Sequence, residues 1–585
     1  MAKKHITVQS SNFQGGLNTL QPAHLLADGQ TPNCQNVDFS RSLGRLTKRY
    51  GHFEYVTTRG YSDGAPTGLY EYITASGATR FFAVTKSVIY EIFTNAVPGW
   101  VPRYIKDGTT KSIDEVQLDS GAAAGQQVRV QTTTAHGYST GNVVKISGLT
   151  GGTLTPYNGH FYTVTVSTST KFFLLEATSG TALTNYTGLT GTSTLSSATA
   201  LGETNFITFN DLCIAVSPQI STLKATTGDF SILLGTPPAN GKYIENHKGR
   251  VFIANHGGGK SRLSFCYLNN PEDWTTIAGD STDAGFVDVG LDDGDVITGI
   301  KSIGSVLLIF KNNSTWALFG SSASDFKVRK LSPLIGCSAN RTIVAADNFA
   351  IFLAQQGVYA ANSEGVTMMS YNIKPNLEAF TDAQRAGAVA GRTNTQYWLS
   401  YDASGDGKNE SVYVLDYVLG VWGFYSNKKL AVCYTTRAGR LLAGQSDSDA
   451  IYAHNDPAHE IFAGTASTGN DAEGAVDMFW DTPDYDFGDW TCIKHPLDIE
   501  VVATPISGKT ITVSHYVEGV VQSATLPFLL TASGSQDKVY LKKRHLPGTS
   551  YGGYLRFRLR NAEASALTQV FGYSIIAYVD ERQNG

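Results

Sequence analysis

Three stretches of this chain have the residue types and spacing that chemistry uses, and each has a plainer reading beside it. Ala254 to Ser261, ANHGGGKS, satisfies a permissive phosphate-loop pattern. A working phosphate loop needs a helix directly behind it, whose first N–H groups and dipole meet the phosphates. Arg262 to Leu268 is strand-like and runs into Asn270-Pro271, so the glycines fit a hairpin loop better. Asp402, Ser404, Asp406 and Gly407 imitate the first half of a calcium loop, but Tyr413 stands where a bidentate Glu belongs. A hairpin loop is again preferred, with a weak cation site as the alternative. Asp481, Asp484, Asp486 and Asp489 supply carboxylates in the number a glycosidase needs. Acid–base work also requires two of them at a fixed separation with opposed pKa shifts. Further acids crowd the same region, which favours solvated or pore-facing loops.

The remaining chemistry-bearing residues are dispersed. Cys34, Cys213, Cys266, Cys337, Cys433 and Cys492 show no CxxC or CxH spacing and are expected to be small buried apolar residues. Trp100, Trp274, Trp316, Trp398 and Trp422 fall at strand ends and are expected to pack blade cores rather than stack on sugars. No catalytic, cofactor or metal set is assigned. The charge feature that stands out is basic: Lys538, Lys542, Lys543 and Arg544, with Arg556, Arg558 and Arg560. The two runs are expected on neighbouring strands, as an assembly face for an acidic partner surface or, failing that, for DNA phosphates. A solvated sheet face with ordinary ion pairs is the plain alternative.

The elements that must position these residues are strands. Sixty Gly, 29 Tyr and 28 Phe against four Met favour all-β structure with tight turns. At 585 residues the chain exceeds one compact core. Charged residues make up 16 %, below the roughly 25 % of ordinary domains, which suits flanks covered by neighbouring subunits. The net charge of −5 gives no global footprint for nucleic acid. The opening MAKKHITVQSS lacks the apolar stretch of a signal peptide, and no segment is apolar for long enough to span a membrane. Synthesis in a reducing cytoplasm is expected.

Hairpins recur from Thr67, with units starting near Thr67, Glu203, Lys242, Val296, Cys337, Gly387 and Leu430. That spacing fits the four-stranded blades of a β-propeller of six to eight blades, against a series of sandwiches as the competing fold. Residues 121–200 interrupt the units as a small inserted β-module, in which Asn158-Gly159 predicts a type I′ hairpin. Residues 441–493 hold eleven acids and no Lys or Arg, whereas 494–585 hold ten basic and seven acidic residues. This shift marks a boundary near 456–495, beyond which alternation predicts a C-terminal β-sandwich. The expected division is 1–66 as an extended lead-in closing onto the β core, 67–120 as the first propeller part, 121–200 as the insert, 201–455 as the remaining blades and 456–585 as the platform.

The run from Phe13 to Gly51 has turn chemistry rather than helical periodicity. Its pattern GGLNT…P…L.DGQ…NVDF…G.L.KR.G is carried by Gly15, Gly16, Asp28, Gly29, Asn36, Val37, Asp38, Gly44, Lys48, Arg49 and Gly51. It resembles the opening of tail hub and nozzle proteins of short-tailed bacteriophages, also called packaged-DNA stabilisation proteins. The insert, with AHGYSTGN, looks like small modules that decorate phage tail proteins, Asn142 replacing the usual aspartate. The resemblance implies a non-enzymatic virion protein in the tail, made in the host bacterial cytoplasm. It implies a homo-hexamer beneath the connector–adaptor rings that continues the channel for double-stranded DNA and anchors fibres or tip proteins. Two other readings stay open: a minor tail or baseplate protein of a long-tailed phage, and a carbohydrate-binding or carbohydrate-cleaving propeller. The last would show aromatics and carboxylates converging on one mouth of the ring.

Overall fold

The computed structural model describes the chain except for residues 1–3, 41, 57–63, 94–98, 120–127, 151–153, 176–185, 277–279, 455–469, 472–473, 490, 532–538, 546–550, 565–566 and 581–585. Seven separate four-stranded antiparallel sheets follow one another along the chain. Their first strands are Gly68–Ile73, Asn205–Phe209, Tyr243–His247, Ile297–Ile303, Val344–Ala346, Val389–Arg392 and Leu430–Thr435. All seven border one shared axial cavity, so the sheets are the blades of a propeller. The units near Lys242 and Val296 are distinct sheets, as blades require.

The patterning explains why blades form. Second strands such as Arg250–His256 and Val306–Lys311 are buried at every position, because a neighbouring blade covers each face. The fourth strand Lys327–Ser332 is largely exposed and polar. Adjacent blades share their cores: Phe310 of the fourth meets Phe352 of the fifth at 4.8 Å between ring centroids. The seventh blade has three strands of its own, ending in Ile451–His454, and takes its fourth from His52–Val56. The start of the chain thereby closes the ring and removes the open edge between first and last blades.

The lead-in is not one element. Most strands before His52 belong to the C-terminal sandwich, while Gly16–Leu17 and Gln30–Thr31 pair with each other as a separate parallel ribbon. Lys4–Ser10 pairs with Gln569–Asp580, Leu46–Lys48 continues that sheet, and Cys34–Gln35 pairs with Met478–Asp481 of the facing sheet. The inner faces interleave Ile499, Val501 and Ile575 with Ile511, Val513, Phe557 and Leu559. This core is continuous with that of the fifth and sixth blades through Leu353, Tyr397 and Trp422. Platform and propeller therefore share one apolar interior.

The insert begins earlier than residue 121. It is a closed six-stranded barrel running from Asp107–Leu118 to Tyr186–Ser196, so the first blade ends at Ile105. Its core includes Ile113, Val130, Ile146 and Phe172. Asn158 has φ −71° and ψ 135° and Gly159 has φ +84°, the geometry of a type II turn, so the expected type I′ turn is corrected. The Asn158 amide bonds Leu149 at both backbone atoms and holds a longer loop between strands. Val143 and Phe161 share an apolar cluster with Trp100 and Ile105, so the barrel is docked on the first blade and not joined by polar faces alone.

Candidate functional site

The residues that carry the tail-protein resemblance meet at the seam between platform and propeller. Asn36 adopts φ +57°, which turns its amide inward. The amide donates to the Asp477 carbonyl at 2.7 Å and to Ser426 Oγ at 3.0 Å. Arg49 donates from Nε to Asn36 Oδ1 at 2.7 Å and from its terminal nitrogens to the Tyr50 and Ser426 carbonyls. Lys48 Nζ reaches Asn561 Oδ1 and the Glu563 carbonyl, each at 2.9 Å. Asp38 accepts from Ser40 and, at 2.9 Å, from Gln396 of the sixth blade. Gly16 has φ +64°, and a Cβ there would lie 2.6 Å from Val421 Cγ1 and 2.8 Å from the Trp422 carbonyl. Gly15 donates to the Gly29 carbonyl behind the Asp28 turn, Gly44 turns the chain into Leu46–Lys48, and Gly51 precedes the closing strand. The motif is a clamp, and Val37 fills the core beneath it.

The two basic runs do not form one face. Val539–His545, which contains Lys542, Lys543 and Arg544, belongs to one sheet of the sandwich, while Leu555–Asn561 belongs to the other. Lys538 lies outside the described residues. The arginines are also compensated. Arg556 holds Asp484, Arg558 holds Asp481 and Arg560 holds Asp477, each through two N–H···O bonds of 2.6–2.9 Å. Hydrogen bonding to these carboxylates holds Arg558 and Arg560 above the ordinary guanidinium value. The pairing follows from register, since Asp481 is opposite Arg558 across adjacent strands. The expectation of a free basic face is corrected to an internal ladder. Asp481 and Asp484 are therefore each held by an arginine of the next strand, and Asp489 bonds Thr491 and Cys492.

The loop motifs take their plain readings. His256 pairs with Gly259 across a tight turn of the ANHGGGKS hairpin, with a strand on each side. Asp402 accepts from the Gly405 and Gly407 amides and Glu410 from those of Ala403 and Ser404. Oxygens of Asp402, Asp406 and Glu410 lie within 4.8 Å of one another. Glu410 is the acid that counting to position twelve missed. All six cysteines are free thiols, with burial pushing Cys266 and Cys337 up to about 11. Trp398 and Trp422 are buried in or beside the sixth blade.

Two polar concavities lie on the propeller axis. A shaft of about 550 Å³ is bordered by all seven first strands and meets a mouth of about 800 Å³ at the hairpin ends of the first, second, sixth and seventh blades. The 3₁₀ turn Asn340–Thr342 projects into the shaft. From it Arg341 donates to the Ala431 carbonyl at 3.2 Å and the Thr67 carbonyl at 3.0 Å, tying the fifth-blade entry to the seventh and first blades. Beside it Asn340 donates to Glu203 at 2.5 Å, and Lys301 meets Glu245 at 2.8 Å. Glu71 and Asp211 face Arg392 and Arg437 around the mouth. Tyr70 stacks on Phe206 and meets the edge of Tyr434. Burial, with the nearby Glu245 charge adding to it, raises the Tyr70 phenol above its ordinary value. No sequence pattern foretold this site, because its residues come from blades far apart in the chain.

No protein-family model and no curated protein matches the chain. Among solved structures it is similar to BamB from Moraxella catarrhalis, at 11 % identity and a TM-score of 0.34 over 70 % of this chain and 98 % of that one. The Pan2 WD40 domain of Neurospora crassa gives 9 % identity and 0.32 over 70 % and 96 %. The computationally designed Ika8 protein gives 9 % and 0.32 over 68 % and 99 %. No helix among the described residues is long and apolar enough to cross a membrane.

Proposed function

We propose that the chain is a ring-forming structural subunit of a short-tailed bacteriophage tail, a hub or nozzle without covalent chemistry of its own. Six copies would sit beneath the connector–adaptor rings, continue the DNA channel and hold fibres or tip proteins outside. The observation that carries this reading is the seam. Arg49, Asn36, Asp38 and Gly16, on which the family resemblance rests, reach residues of the sixth blade, while Lys48 beside them anchors the same stretch to the platform. A turn pattern shared by chance has no reason to converge on one junction. The axial shaft supports one refinement: Arg341 bridges across it, so any DNA conduit runs between subunits and not through a propeller.

Electron microscopy of the purified protein, with sedimentation, tests the reading. Closed rings with a central opening, and docking to adaptor rings, are expected. A protein that stays monomeric at micromolar concentration, alone and with adaptor, overturns it.

A further inference from the structure

The axial shaft and its mouth take no part in the seam, and ring assembly gives them no task. We propose that they form a binding site for a short neutral oligosaccharide, which enters between the hairpins of the first, second, sixth and seventh blades and stops at Arg341. This inference does not rest on the tail reading.

Shape comes first. Volumes of about 550 and 800 Å³ are in the range of small-molecule sites, and the bridging arginine makes a floor. The hydrogen-bonding inventory comes next. Glu71 uses one carboxylate oxygen on the Arg437 amide, Glu203 one on Asn205 and Asn340, and Glu245 one on Lys301. The second oxygen of each has no donor among the described residues, so three acceptors line the path from mouth to floor. A chain of hydroxyls is a matching set of donors. Charge narrows the class. Two acids and two bases border the shaft away from Arg392, and two acids and two bases border the mouth, so neither a polyanion nor a polycation is favoured. The half-buried walls of Tyr70 and Tyr434 offer apolar surface to the C–H groups of a sugar ring. Tyr70, Tyr434 and the three carboxylates thus line one continuous path from the mouth to the floor.

The test uses the full chain on an immobilised panel of hexose, N-acetylhexosamine and deoxyhexose oligosaccharides, with sialylated oligosaccharides and spermidine as charged probes. The strongest binder is then titrated by calorimetry. A neutral saccharide should bind. Glu203→Gln, Glu245→Gln and Tyr434→Ala should each weaken it about ten-fold or more at unchanged melting temperature, since a buried site built for hydroxyls discriminates strongly. Arg560→Gln, on the distant ladder, should leave binding as it was. No binding by any neutral probe, binding by spermidine or sialylated probes alone, or binding indifferent to all three funnel variants overturns the proposal. If one variant loses fold stability, the other two decide. Rings without saccharide binding overturn this inference alone; saccharide binding without rings overturns the tail reading alone.

Discussion

Two sets of basic side chains look alike in the sequence and differ in what surrounds them. Arg556, Arg558 and Arg560 form a row on a sheet surface, with side chains 21 %, 25 % and 52 % exposed, each matched by an aspartate. Lys48 and Arg49 are buried, and their donors meet backbone carbonyls and amide oxygens drawn from both domains. The ladder is repetitive and reachable by water, so losing one rung leaves groups that solvent can satisfy. The clamp has no such reserve. Removing one of its cations strands carbonyls and an amide in a dry interior. The lesson is that the alternating basic row is already matched by aspartates of its own chain, while Arg49, in a stretch with no alternation, ties the platform side to the sixth blade.

The largest expected effect tests the clamp. Arg49→Ala should cost about 3–5 kcal/mol, measured by denaturant unfolding, because Asn36 and the Ser426 carbonyl lose a buried donor. A cost near that of a surface substitution would erase the contrast. Gly16→Ala should follow at about 1–3 kcal/mol, from positive φ and the collision with Val421. Acid probes burial by another route. Burial holds His247 down to about 4 and also lowers His515, which stacks on Phe557 and has no hydrogen-bond partner at either ring nitrogen among the described residues. Unfolded histidines take up protons below about pH 6.5 while these two resist, so stability should fall as the pH drops from 6.5 towards 4. His515→Phe should flatten that fall relative to the parent; an unchanged slope would place the acid sensitivity elsewhere. The smallest effect belongs to the ladder. Arg560→Gln should change stability by about 1 kcal/mol or less, and a larger loss would show the rungs acting as a unit.

The blades were legible because hairpin turns and apolar alternation are local. Six of the seven unit starts fall within two residues of an observed first strand; the exception is Cys337, where the Asn340–Thr342 turn intervenes before Val344. The early start of the barrel was missed because Asp107–Leu118, DGTTKSIDEVQL, is too polar to announce a strand. The alternation of Arg556, Arg558 and Arg560 was visible, and so were the acids at 477–484. Their pairing depends on strand register, which composition does not encode. The funnel was invisible for a deeper reason. Tyr70, Glu203, Glu245 and Arg341 become neighbours only when the ring closes, and nothing in each local segment records that.

The strand His52–Val56 has a consequence for how the protein is made. Its partner, Ile451–His454, leaves the ribosome nearly 400 residues later, and the partner of Lys4–Ser10 is near the end of the chain. At about 5–20 residues per second, Lys4–Ser10 and His52–Val56 wait on the order of half a minute or more for their partners. Blades can form in succession during synthesis, but the ring cannot close until residue 454 is made, nor the platform until the chain is almost complete. The last step of folding therefore joins first-made to last-made segments, a long loop closure of the kind that slows β-proteins. A nascent chain truncated just before residue 451 would present the open edge of Leu441–Gln445, in its unfinished seventh blade, to any neighbour able to add a strand.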